Sequence, residues 1–175
     1  YEDHRVSRDL SNAGYRSKLC NEWHRKTLSH NTVCWNGTDI TSVSPGECLY
    51  FDDSKVTARA VNVYEGIDYT RTVEIQDTWV EDSFSVSGGK DGIYDYIFHF
   101  ESDFDFTHEL ELADGELGFN ENGYQHVLEV KKAETRGEQA VLYGTSGGKK
   151  LKITVDLKDH QLYLLKTMDN PVNKI

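Results

Sequence analysis

Residues 8–37, RDLSNAGYRSKLCNEWHRKTLSHNTVCWNG, bring together side chains whose types could do chemistry: Asp9, Tyr15, Arg25, His30 and Asn31. A phenol does acid or base work when its surroundings lower its pKa. A guanidinium grips a carboxylate through two parallel N–H donors, and imidazole and carboxylate are both sound zinc ligands. On residue type alone, each also has a structural use. Tyr15 after Gly14 reads as a turn-edge aromatic, and His30 before Asn31 as a hydrogen-bonded core or edge histidine. Arg25 is placed either to reach a substrate carboxylate or to pair with Glu22. Elsewhere the signals are thinner. Cys20, Cys34 and Cys48 form no CxxC pair, and their odd number argues against a disulfide framework. His99, His108, His126 and His160 show no mutual spacing that suggests a site, and the acidic run over 101–105 lacks the calcium-loop pattern.

The order and spacing of Asp9, Leu10, Gly14, Tyr15, Trp23, Arg25, Thr27, Ser29, His30, Asn31, Thr32, Val33 and Gly37 resemble a block of the heparinase II/III-like polysaccharide lyases, especially their oligoalginate-lyase-like branch. Weaker likeness continues through LYFDD, YTRTVEI and YDYIFHF. The resemblance implies an all-β fold, the layered antiparallel sandwich that follows a helical toroid in such enzymes. It places this chain as the sheet part, with the helical domain a missing partner. It also implies β-elimination at a uronic acid in an acidic polysaccharide, where charge at C5 must be stabilised and the C4 oxygen protonated. By the same resemblance Tyr15 is a catalytic tyrosine, and Asp9 and His30 hold a divalent metal, usually zinc, with an upstream histidine. Arg25 and Asn31 are the matching candidates for substrate binding, Asn31 also shaping the backbone beside His30. Two protein ligands are too few for a stable zinc site. Asp3 or His4 could supply another, though the spacing requires neither. Ser11 and Arg16 stand where the family commonly has glycine, and His24 where it has tyrosine, so no particular glycan specificity carries over.

Composition sets the outer bounds. The 175 residues suffice for one domain with a sizeable core, and 28% charged against 37% hydrophobic residues describes a polar globule. A net charge of −11 argues against a general nucleic-acid binder. Residues 1–30 run against that balance with six basic and four acidic side chains, which on charge alone read as a solvated basic face, with an anionic ligand at one edge as the alternative. No apolar run approaches the ~20 residues of a membrane span. The chain begins at Tyr1, so the expectation is that something upstream has been removed, and the export compartment is unreadable.

Positioning falls to strands. Alternation and turn signals predict them over 32–36, 47–51, 56–63, 69–75, 78–86, 94–101, 107–112, 127–134, 139–144, 151–157 and 161–167. The last-but-one shows the period of two clearly, with Leu151, Ile153, Val155 and Leu157 interleaved by Lys152, Thr154 and Asp156. Asn36-Gly37, Glu65-Gly66 and Asn122-Gly123 are among the turns between them. Residues 32–175 therefore read as an antiparallel sandwich, with 1–31 as an irregular edge segment of the same single domain; Leu19 and Trp23 at i, i+4 suggest one helical turn within it. The stripe Tyr94, Tyr96, Phe98 and Phe100 reads as core in preference to a sugar platform. Two functions compete: the β domain of a uronate lyase, expected to be inactive without its helical domain, or a non-catalytic module that binds carbohydrate or packs a partner domain.

Overall fold

A computed structural model describes residues 5–10, 12–43, 45–101, 105–135, 137–146 and 148–168. Asp3, His4, Ser11 and most of the acidic run over 101–105 lie outside them. Strands make up 48% of the described residues and helical turns 8%, and every pairing is antiparallel, so the fold is all-β and sandwich-like.

Among the described residues twelve strands form four sheets. β2 (Glu47–Phe51), β3 (Lys55–Tyr64), β4 (Ile67–Ile75) and β5 (Val80–Ser87) make a meander in sequence order. β1 (Val33–Trp35) pairs with β6 (Tyr94–Tyr96). β7 (Asp105–His108) joins β10 (Gln139–Ser146) and β11 (Lys149–Asp156), while β8 (Glu111–Asp114) joins β9 (Val127–Glu134) and β12 (Tyr163–Thr167). The chain thus changes sheet between β7 and β8, between β9 and β10, and between β11 and β12. The continuous strand expected over 107–112 is therefore two strands. His108 pairs with Leu142 in one sheet and Glu111 with Glu134 in the other, and the break at Glu109 and Leu110 is a corner between sheets. The strand expected over 94–101 is likewise regular only over Tyr94–Tyr96.

Two apolar clusters hold the layers. One gathers Val33, Val63, Tyr64, Ile67 and Tyr69 between β1 and the four-stranded sheet. The other gathers Leu10, Trp23, Leu28, Cys34, Ile97 and Tyr124. Successive side chains of a strand point to opposite faces, so the short β1 serves both, with Val33 in one cluster and Cys34 in the other. Beyond β1 the chain reverses through Asn36 (φ 48°) and Gly37 (φ 63°), with the Thr38 N–H donating to the Trp35 carbonyl at 3.0 Å. Two successive positive φ values call for Asn-Gly. At Gly37 a Cβ would also stand 2.5 Å from the Phe119 ring.

Residues 5–31 are irregular with short helical turns, among them Cys20–His24 and Thr27–Ser29. They do more than line an edge: Cys20, Trp23, His24, Thr27, Leu28 and Ser29 are all buried. The Trp23 indole N–H donates to the Met168 carbonyl at 3.0 Å, tying the start of the chain to the end of β12. Thr27 is locked to 39–40, its N–H on Asp39 at 3.0 Å and its hydroxyl oxygen accepting from Ile40 at 2.7 Å.

The aromatic stripe is core only in part. Tyr94 packs on the four-stranded sheet, Phe98 is 38% exposed, and Tyr96, although 47% exposed, still meets the Phe84 ring at 5.7 Å and donates to Asp82. Burial in the core therefore separates two substitutions. Trp23→Ala should lower unfolding free energy by about 3–5 kcal/mol, the usual cost of emptying a buried aromatic site. Phe51→Ala, at a position 76% exposed, should change it by no more than about 0.5 kcal/mol. Urea denaturation of both variants beside the wild type checks this; equal effects would contradict the core assignment.

Candidate functional site

His30 sits between two turns. Its N–H donates to the Thr27 carbonyl at 3.1 Å, closing the helical turn before it. Its carbonyl accepts from the Thr32 N–H at 3.0 Å, closing a three-residue turn centred on Asn31. The imidazole Nδ1 lies 2.6 Å from Asp9 Oδ2, twenty-one residues away in sequence. An ionised carboxylate only accepts, so Nδ1 carries the proton in this contact. Both side chains remain open to solvent, 37% for His30 and 63% for Asp9.

Asn31 joins three segments. Its amide N–H donates to Ser7 Oγ at 2.8 Å, its amide oxygen accepts from the His99 N–H at 2.6 Å, and its carbonyl accepts from Arg71 Nη1 at 2.8 Å. Ser7 in turn donates to the His99 carbonyl. The His99 ring donates through Nε2 to the Leu28 carbonyl at 2.8 Å and meets the Trp23 indole edge-on. Burial pushes the His99 pKa below its ordinary 6.5, against the opposing pull of its bond to Leu28. Arg71 is gripped by Asp82, Nε on Oδ1 at 2.8 Å and Nη2 on Oδ2 at 2.5 Å, with the Tyr96 hydroxyl donating to the same Oδ2 at 3.0 Å. That fork, more than anything else near it, strengthens the arginine's hold on its proton.

The structure thus brings Asp9, His30 and Asn31 together, whereas Tyr15 and Arg25 stand apart from them. Tyr15 is 79% exposed on the turn after Gly14, whose φ is +93°. No hydrogen bond or ring contact among the described residues links it to the pair. Arg25 is exposed and donates to Asn21 at 3.3 Å. Glu22, one partner expected for it, engages Lys18 and His126 instead. The sequence reading missed Arg71, Asp82, Ser7 and His99. Arg71 and Asp82 had a signal: each occupies an inward position of its strand, between Tyr69 and Val73 and between Val80 and Phe84. A charge at an apolar-face position calls for a buried partner.

The pair offers the donor types zinc accepts, but its spacing is that of a direct hydrogen bond. Two ligands of one tetrahedral zinc, each at ~2.0–2.1 Å, stand about 3.3 Å apart. Asp9 and His30 would have to part slightly to share an ion; alternatively Asp9 would orient the ring while Nε2 bound the metal. Among the described residues no group of three or more His, Cys, Asp or Glu converges for a metal, so any further ligand comes from outside them.

The chain matches no model of a known protein family and no curated protein.

His99 makes the site sensitive to acid. Below its ordinary value of 6.5 the unfolded chain binds a proton that the folded His99 resists, so stability falls as pH drops through and below that value. Denaturation midpoints one unit above and one unit below 6.5 should converge in His99→Gln, which keeps an amide N–H for Leu28. An identical pH dependence in wild type and variant would remove His99 as the cause.

Proposed function

We propose that this chain is the β domain of a lyase that cleaves a uronic-acid-containing acidic polysaccharide by β-elimination. The observation that carries the reading is the Asp9–His30 contact of 2.6 Å. These two residues were singled out by their places in the lyase-like block, and folding brings them into direct contact on an open surface. The irregular segment around them is held by buried Trp23, Thr27 and Leu28, which supports a site built on a rigid base.

In this reading Asp9 and His30 organise the edge and would hold a divalent metal such as zinc together with a ligand from outside the described residues, and such a metal would supply positive charge to the site. Tyr15, with its hydroxyl in the open, gives its proton to the C4 oxygen as the C4–O bond to the leaving sugar breaks, while a base of the helical partner domain takes the C5 proton and the C5–H electron pair becomes the C4=C5 double bond. Arg25, also exposed, is the candidate for the uronate carboxylate. The remaining acid and base groups come from a helical partner domain.

A second reading has its own observation. Phe51, Ile75 and Val80 lie on the inner face of the four-stranded sheet at the end away from β1, and are 76%, 55% and 61% exposed. An apolar face of that kind also suits a module that packs a partner domain or a glycan without chemistry.

Ultraviolet absorbance of unsaturated uronate products, on alginate, heparan sulfate and hyaluronan, separates the two. The 175-residue chain alone should turn over little, and the chain combined with its helical domain should be active. In that active form Tyr15→Phe should lower turnover about 10²-fold or more and leave zinc content unchanged. His30→Ala should lower zinc content and melting temperature together. Full activity in Tyr15→Phe, or unchanged zinc in His30→Ala, would contradict these assignments. Robust turnover by the chain alone would contradict the need for a second domain.

A further inference from the structure

We infer that Arg71, clamped by Asp82, is the positioning residue of the Asp9–His30 pair: it holds the Asn31 carbonyl and so fixes the turn that aims the His30 ring. The inference rests on the reading of that pair as the functional site. Its basis is the distribution of the Arg71 donors. Two N–H groups already satisfy the charge through Asp82, at 2.8 and 2.5 Å. A structural salt bridge on the inner sheet face would need no more. Yet Nη1 reaches across to a main-chain carbonyl forty residues away, at Asn31.

That carbonyl is a sensitive point. The turn His30–Asn31–Thr32 closes on one hydrogen bond, from Thr32 to His30, of 3.0 Å. Three-residue turns of this kind are weakly determined by themselves. Here the Asn31 side chain is clamped by Ser7 and His99, and its carbonyl by Arg71. Without the arginine, the Asn31–Thr32 peptide plane is held, among the described residues, by a single hydrogen bond, from the Thr32 N–H to the His30 carbonyl. The arginine adds a second, on the carbonyl side, and its planar fork is itself immobilised by Asp82, which the Tyr96 hydroxyl steadies in turn. On the other side His30 is held by the turn over Thr27–Ser29. With both flanking turns locked, the His30 backbone is fixed, which lowers the entropy lost when the imidazole meets Asp9.

The pair leaves a spectroscopic signature. Free neutral imidazole prefers its proton on Nε2; a carboxylate at Nδ1 imposes the other tautomer. Imidazole nitrogen resonances of the ¹⁵N-labelled chain, recorded with a chelator present and at a pH where the rings are neutral, report which nitrogen carries the proton. In the wild type His30 should show the Nδ1–H form, and Asp9→Asn should shift its resonances away from it. Arg71→Met should shift them in the same direction as Asp9→Asn while the sheet signature in circular dichroism persists. Removing one member of the ion pair strands Asp82, so Arg71→Met can also unfold the chain. Arg71→Met/Asp82→Leu, which removes both charges, then gives the same comparison in a folded protein. Wild-type His30 resonances in either folded variant would overturn the inference and leave the site intact. Wild-type resonances that already coincide with those of Asp9→Asn would instead show that the pair does not form in solution, and would overturn the site reading with it.

Discussion

The fold depends on a strand of three residues that serves two cores. Val33 and Cys34 are adjacent, so the pleat sends them to opposite faces, one into the aromatic cluster on the four-stranded sheet and the other into the cluster around Trp23. Its partner β6 and the residues after it obey the same alternation. Tyr94 and Tyr96 face the four-stranded sheet, while Asp95 and Ile97 face the other way, where Asp95 accepts from the buried Tyr124 hydroxyl. Shifting this ladder by one residue would exchange both faces at once. That is why a short two-stranded layer can hold a definite register.

The candidate site is a consequence of the same layer. Asn31 immediately precedes Thr32, whose carbonyl accepts from Ile97 at 2.9 Å to continue the β1–β6 ladder. The turn at His30 is therefore anchored to a strand at its C-terminal side and to buried Leu28 and Ser29 at its N-terminal side. Several residues of the segment 8–37 serve this anchoring. Trp23, Thr27, Ser29 and Val33 are buried and position the others, and Gly37 makes the return turn. Asp9, Tyr15, Arg25 and His30 are left with accessible polar groups. A motif of this length thus divides into a scaffold part and a small chemical part, and the scaffold part is the larger.

Much of the strand pattern was legible in the sequence. The spans 47–51 and 127–134 coincide with β2 and β9, and in β11 Leu151, Ile153 and Val155 are half-buried as their alternation with charged residues implied. The period of two and the turn chemistry are local properties, set by neighbours along the chain. The expected strand over 107–112 failed for the same reason. Its alternation is continuous, and only pairing with Leu142 on one side and Glu134 on the other divides it between sheets. The Tyr94–Phe100 stripe has the pattern of a core face along its whole length, yet Tyr96 and Phe98 are exposed, which alternation along the chain does not specify.

By itself the sequence determined the all-β class, the turns at Asn36-Gly37 and Glu65-Gly66, and the choice of Asp9 and His30 as residues to watch. Tertiary structure alone decided that these two meet at 2.6 Å while Tyr15 and Arg25 stand apart, and that Arg71, Ser7 and His99 converge on Asn31. The physical reason is range. Strand periodicity and turn φ values are selected within a few residues, whereas the side-chain hydrogen bonds of Asp9, Ser7, Asn31 and His99 at the site close loops of 21 to 92 residues. Packing around Trp23, Ile67 and Tyr69 holds the ends of those loops together and so offsets the entropy of closing them.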